Sequence, residues 1–284
     1  MTQRVIIVGA GHAAAQLAPS LRKQGWEGEI AIIGDEPHAP YQRPPLSKEF
    51  MSGEKDDKEI LIRPEAAYKK HGIELRLNHS VLAINLVENT LVLDNGERLA
   101  YDKLALCTGA RARKINLPGS DLDGVCYLRT LDDVKNIKRY LGVNKSIAPS
   151  LRAVIVGGGY IGLETAAVLT TLGVNVTVLE MQERVLARVT ALEVSEFYQR
   201  VHAEEGVSIR TNMVVSHIDG GCKDSDKYPL KAYCDNGEYF DADLVIVGVG
   251  VIPNVELAEA AGLAVENGIT VDEFAFTSDT NIVA

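Results

Sequence analysis

One program is written twice along this 284-residue chain, and the duplication narrows the possible folds more than any bulk property does. In the first copy, the apolar run Val5-Ile6-Ile7-Val8 meets the turn Gly9-Ala10-Gly11. A helical stretch from Ala13 to Lys23 follows, then a second apolar run, Ile30 to Ile33, ends at Gly34-Asp35-Glu36. The second copy repeats this with Ala153-Val154-Ile155-Val156, Gly157-Gly158-Gly159, a helix to about Leu172 and Val176-Thr177-Val178-Leu179-Glu180. Short buried runs on either side of a helical period predict a βαβ unit each time.

The match continues downstream. Alternating segments turn at identical triplets, Asp94-Asn95-Gly96 and Asp235-Asn236-Gly237, which suit hairpin turns that need a positive φ. Each hairpin leads into a further buried run, Leu104 to Gly109 and Leu244 to Gly250. Pro118-Gly119 and the polar Asn144 to Ser150 stretch are expected to mark crossings between the two copies.

A glycine-rich turn alone is weak evidence, but both turns sit between a buried strand and a helix and are followed by an acid about 20 residues on. Gly9 and Gly11 permit a tight turn and close backbone approach to a pyrophosphate, and Ala14 is small enough for helix and strand to touch. The N–H groups at the helix start then face the phosphates. Asp35 or Glu36 stands where a carboxylate accepts from ribose hydroxyls. In the second copy Gly157, Gly159 and Gly162 complete the pattern, and Glu180 is placed to bind a ribose 2′-OH and repel a 2′-phosphate. That favours NADH over NADPH, although Arg184 and Arg188 leave the preference open. Two dinucleotide sites in one chain are the minimum apparatus for two-electron transfer from a hydride carrier to a second redox cofactor.

Other properties exclude more than they identify. A formal net charge of −10 opposes extended contact with nucleic acid or anionic lipid. No apolar run reaches membrane-spanning length, and the start of the chain lacks the pattern of a secretory leader, so a cytoplasmic protein is expected. Cys107, Cys126, Cys222 and Cys234 show no metal-ligand spacing and are expected to be buried thiols. His12, His38, His71, His79, His202 and His217 are expected at the surface or at helix caps.

The segment Pro40-Tyr41-Gln42-Arg43-Pro44-Pro45-Leu46-Ser47-Lys48, together with Gly157 to Glu164, resembles the NADH-dependent ferredoxin reductase family, to which rubredoxin, putidaredoxin and monodehydroascorbate reductases are similar. The resemblance covers essentially the whole chain. It implies an α/β fold with two Rossmann-like three-layer dinucleotide-binding domains: an FAD domain over 1–115 and 247–284, and an NAD(H) domain inserted at 116–246. It also implies Lys48 beside the flavin with Arg43 near it, and Glu164 paired with Lys48 in a buried ion pair. Tyr160 would cover the flavin until nicotinamide displaces it. Thr108-Gly109 matches a flavin-binding strand end in which Cys107 replaces alanine. Arg129 matches an arginine that contacts FAD, and Gly248-Val249-Gly250 a turn that closes over nicotinamide. Val81 and Ile161 join the cofactor-binding set.

The implied reaction is hydride transfer from NADH to FAD, followed by delivery of single electrons to a small iron–sulfur or rubredoxin-type carrier. Residues 37–70 contain no cysteine, which argues against a disulfide substrate. Beyond Ala284 the relatives are expected to continue into a Gly-Asp segment and an interface domain, so the chain is expected to be a truncated form. A flavin-poor NAD(H)-binding scaffold and an oxygen-consuming NADH oxidase stay open as alternatives. A basic rim near Arg43 and Arg63 is expected to dock an acidic ferredoxin.

Overall fold

A computed structural model of the protein describes residues 3–142, 151–220 and 230–284, so Cys222 and the Asn144 to Ser150 stretch lie outside the described residues. The chain forms two compact units. One takes the chain up to Gln42, then Asp57–Arg111 and Ile252–Ala284; the other takes Arg43–Asp56 and Ala112–Val251.

In the first unit five parallel strands run in the order Ile282–Val283, Lys103–Leu106, Arg4–Val8, Glu29–Gly34, Ile73–Leu77. Side chains alternate across the sheet. Val5 and Ile7 join Ala14, Ala18, Ile30, Ile32 and Tyr68 in one core. Ile6 and Val8 join Ile33, Leu91, Leu93 and Leu104 in another. Because both faces are covered, the central strand carries an unbroken apolar run and not an alternating one. Ala14 and Ala18, both fully buried, let the helix His12–Lys23 rest closely on the sheet.

The second unit repeats the plan with the order Ser208–Arg210, Asn175–Leu179, Arg152–Val156, Leu244–Val247, Val125–Tyr127, again all parallel. The two sheets differ in where the last strand comes from. In the first unit it is contributed by Ile282–Val283, and in the second by Val125–Tyr127, which precedes that unit's central strand.

Each unit also carries a three-stranded antiparallel sheet, Val81–Asn85, Thr90–Leu93 and Arg98–Ala100 in one, Val215–Asp219, Leu230–Cys234 and Tyr239–Ala242 in the other. The Asp-Asn-Gly triplets close both hairpins in the same way. Leu93 N–H donates to Glu97 O and Cys234 N–H to Glu238 O, each at 2.9 Å. Within the turns Gly96 (φ 82°) and Gly237 (φ 86°) take the positive φ, and Asn95 and Asn236 accept from the backbone N–H two residues on.

Two organisational expectations change. The segment Arg43–Asp56, expected with 1–115, packs within the second unit. Leu46, Phe50 and Met51 are buried there, the short helices Pro44–Ser47 and Glu49–Ser52 lie against the helices Leu131–Leu141 and Tyr160–Thr171, and Lys138 Nζ donates to Phe50 O at 2.9 Å. Three apolar side chains in a short segment need a core, and those two helices supply one. Pro118-Gly119 is not a crossing. It is inside the second unit, where Ile218 N–H donates to Pro118 O (2.9 Å), and the chain changes units at Gln42/Arg43, Asp56/Asp57, Arg111/Ala112 and Val251/Ile252. Among the described residues no helix is long and apolar enough to cross a membrane.

Candidate functional site

In the first unit the glycine turn is held by its neighbours. Gly9 has φ 105°, and a Cβ there would come within 2.1 Å of Cys107 O, so neither the backbone nor the space admits another residue. Gly11 differs: nothing lies within 4 Å of its absent side chain, and it caps the helix His12–Lys23. The first-turn N–H groups of a helix have no intrahelical acceptor, so they offer donors to an anion. Asp35 is exposed at the end of the second strand. Glu36 is half-buried and accepts from Tyr41 OH at 2.5 Å.

Across the same sheet end, Thr108-Gly109 is tied to Asn254. Thr108 Oγ1 donates to Asn254 O (2.7 Å), Asn254 Nδ2 donates to Thr108 O (2.8 Å), and Asn254 N–H donates to Gly109 O (2.9 Å). These residues line a cleft of about 220 Å³ with Leu106, Pro253 and Ile269. Val81 is half-buried and packs on the core that contains Ile84 and Leu91. The Cys107 thiol, half-buried, is pushed up to about 11 by burial.

The second unit repeats the turn with closer packing. Gly157 has φ 111° and would place a Cβ 2.6 Å from Gly248 O; a Cβ on Gly162 would meet Gly157 O at 2.1 Å. Gly159, like Gly11, faces open space. Glu180 is bound into the turn, with Oε2 accepting from Gly158 N–H (2.6 Å) and Oε1 from Gln182 N–H (2.8 Å). A carboxylate has about four lone-pair positions, so capacity for ribose hydroxyls remains.

At the start of the helix Tyr160–Thr171, Lys48 Nζ lies 2.8 Å from Glu164 Oε1, and Ser47 Oγ donates to Glu164 Oε2 at 2.7 Å. The Lys48 and Glu164 side chains are 43% and 33% exposed. Tyr160 is 48% exposed, and Ile161 beside it is also exposed, so neither is a core residue. Arg43 Nη1 donates to Arg129 O at 2.8 Å, which brings two predicted residues together. Val249 is partly buried against the core of this unit, and Gly250, with φ 108°, accepts from Arg113 N–H through its carbonyl.

The family model for pyridine nucleotide-disulphide oxidoreductases matches residues 3–284. The chain belongs to this family. Its members are NAD(P)H-dependent FAD oxidoreductases. The chain is 40% identical over 280 residues to a rubredoxin-NAD(+) reductase of Pseudomonas putida, covering 99% of this chain and 70% of that protein. It is 42% identical over 284 residues to putidaredoxin reductase of the same species, covering 65% of it. Among solved structures, putidaredoxin reductase in covalent complex with putidaredoxin gives a TM-score of 0.91 at 40% identity, over 99% of this chain and 66% of that one. The chain therefore spans about two thirds of the length of these family members.

Within that family frame several expectations are corrected. The Lys48–Glu164 pair is half-exposed and not buried, because Glu164 points away from the packed face of its helix, which its neighbours Leu163 and Thr165 occupy. Arg43 and Arg63 each hold a backbone carbonyl within their own unit: Arg43 Nη1 donates to Arg129 O at 2.8 Å, and Arg63 Nη1 to Ala15 O at 2.5 Å. Ala15 O needs that donor because Pro19, four residues on inside the helix, has no N–H to give it. Arg184 is likewise committed, to Thr190 O, Ala187 O and Ser195 Oγ, whereas Arg188 is exposed. His202 is buried, 9% exposed, with its ring nitrogens 2.9 Å from Tyr198 O and 3.1 Å from Leu163 O, because its helix turns that face onto the neighbouring one.

Ser47, Asn254 and Gly34 were not singled out from the sequence. Ser47 adjoined Lys48 in the specific box, which was signal enough. Asn254 had only its place after Pro253 at the end of a strand. Gly34, where a Cβ would meet Ala10 Cβ at 2.4 Å, was legible as the last residue of the second buried run.

Proposed function

We propose that this chain binds FAD in the first unit and NADH in the second and passes electrons from NADH, by way of the flavin, to a small iron–sulfur or rubredoxin-type carrier. The observation that carries the reading is the Lys48–Ser47–Glu164 cluster, a charge pair with a fixed carboxylate beside a dinucleotide-type glycine turn. The residues fit the two cofactors. Gly11 and Gly159 leave open the space that a Cβ would fill, each at the N-terminus of a helix.

When bound, FAD supplies an acceptor that takes two electrons together and releases them singly. Gly9, Gly11, Ala14, Asp35, Glu36, Val81, Thr108 and Gly109 would hold it, and the family resemblance adds Arg43 and Arg129 to the cofactor-binding set. Gly157, Gly159, Ile161, Gly162, Glu180, Arg188, Val249 and Gly250 would hold NADH. Glu180 orients the adenosine ribose through its hydroxyls and disfavours a 2′-phosphate by charge repulsion. Glu164, held at both oxygens, cannot swing away when nicotinamide arrives, and Lys48 keeps a positive charge at a set position. Tyr160, exposed at the first helical turn, excludes water from the ring it covers.

Equilibrium binding to the full chain tests the assignment. Saturation by one FAD and one NADH per chain, with NADPH weaker than NADH, supports it. Mutual competition between FAD and NADH for one site opposes it.

A further inference from the structure

The loop that follows Glu180 is built to hold the second glycine turn in place, and the residues that build it are not among those that would touch a dinucleotide. Leu186 has φ 54°, in the left-handed region that a leucine side chain rarely adopts, yet it is buried. Its N–H donates to Gly158 O at 3.0 Å. Gly158 is therefore gripped at both polar atoms, its N–H by Glu180 Oε2 and its carbonyl by Leu186. Val185, fully buried, closes the side of the turn, with Cγ1 2.9 Å from where a Gly158 Cβ would stand.

The strained conformation persists because it is over-determined. Arg184 Nη1 donates to Ser195 Oγ (2.6 Å) and Thr190 O (3.1 Å), and Nη2 donates to Ala187 O (2.9 Å). Ser195 Oγ, completely buried, donates in turn to Val185 O at 2.7 Å, and Thr190 Oγ1 donates to Leu186 O at 3.2 Å. One guanidinium and one hydroxyl thus fasten the carbonyls on both sides of the strained residue to the helix Leu192–Glu204 and its approach.

We infer that Arg184 and Ser195 are positioning residues for the dinucleotide: through Leu186 they fix the Gly158 peptide, so that the turn is preorganised before ligand arrives. The inference rests on the reading of the second unit as the NADH site. It deepens that reading by assigning part of the affinity to residues behind the turn. It also explains why Arg184 and Arg188, four residues apart, are not equivalent: the first is spent on the loop and the second is exposed.

The test compares the unaltered chain with Ser195→Ala and Leu186→Gly, by calorimetric titration with NADH and by amide hydrogen exchange without ligand. Ser195→Ala is expected to weaken NADH about tenfold, the effect of one lost hydrogen bond to a charged group, and to speed exchange at the Leu186 amide. Saturating NADH should restore slow exchange there. Leu186→Gly keeps the N–H but frees the backbone and removes a buried side chain, so it should weaken NADH at least as much as Ser195→Ala and speed exchange at residue 186 in the same way. Unchanged affinity in Ser195→Ala despite faster exchange at Leu186 overturns the inference while leaving the NADH reading intact. An unaltered chain that leaves NADH unbound overturns both.

Discussion

Lys48 and Glu164 meet at 2.8 Å, and Ser47 holds the other oxygen of the same carboxylate at 2.7 Å, so a segment from the early chain fixes a charge at the start of a helix from its second half. Both charged side chains keep roughly a third or more of their surface in solvent. A pair of that kind contributes less than about 1 kcal/mol to stability. Glu164→Gln, which keeps the shape and the Ser47 contact, should therefore shift a urea midpoint hardly at all. The same variant should slow NADH-driven flavin reduction at least about tenfold, as expected when an electrostatic contact to the reacting centre is lost. Equal rates in rapid mixing would remove the pair from the chemistry.

The two glycines of the first turn should separate folding from binding. Gly9→Ala puts a Cβ against Cys107 O at a residue with φ 105°, so it should cost about 2 kcal/mol or more, the range for strain and overpacking together. Gly11→Ala meets nothing within 4 Å and should leave the melting temperature nearly unchanged while reducing FAD retention. Melting curves beside dialysis against FAD measure both.

Arg63 and Pro19 should behave as a coupled pair. Arg63→Met leaves Ala15 O without its donor and should destabilise the first unit by about 1–3 kcal/mol, the cost of an unsatisfied buried group. Pro19→Ala supplies the missing helical N–H, so the double variant should recover most of that loss. A double-mutant cycle from chemical denaturation would show additive effects if the two residues were independent.

Alkaline pH should weaken the fold. Burial pushes the thiols of Cys107 and Cys126 from 9.0 to about 11, so the folded chain holds these protons more tightly than the unfolded one. The stability they contribute is complete below about pH 9 and is lost as pH rises toward 11. Denaturation midpoints measured across that window should fall less steeply in the Cys107→Ala, Cys126→Ala double variant.

The fold was legible in the sequence where periodicity and turn chemistry agreed. Val5 to Val8 and Val154 to Val156 became central parallel strands, and both Asp-Asn-Gly triplets became hairpin turns, because a strand covered on two faces admits only apolar residues. What escaped was decided by tertiary packing. Nothing local to Arg43–Asp56 says which core takes Leu46 and Phe50. The commitment of Arg63 depends on a proline 44 positions earlier and that of Arg184 on a serine in the next helix. Arg63 and Arg184 hold backbone carbonyls that no local pattern reveals, since only the folded chain orphans them.

The reading of this chain as an electron-transfer flavoprotein is tested most directly by loading the chain with FAD and mixing it with NADH in the absence of oxygen while following the flavin's visible absorbance. Rapid bleaching by NADH, slower with NADPH, is the predicted result. A flavin that stays oxidised with NADH yet bleaches with a chemical reductant would contradict the account.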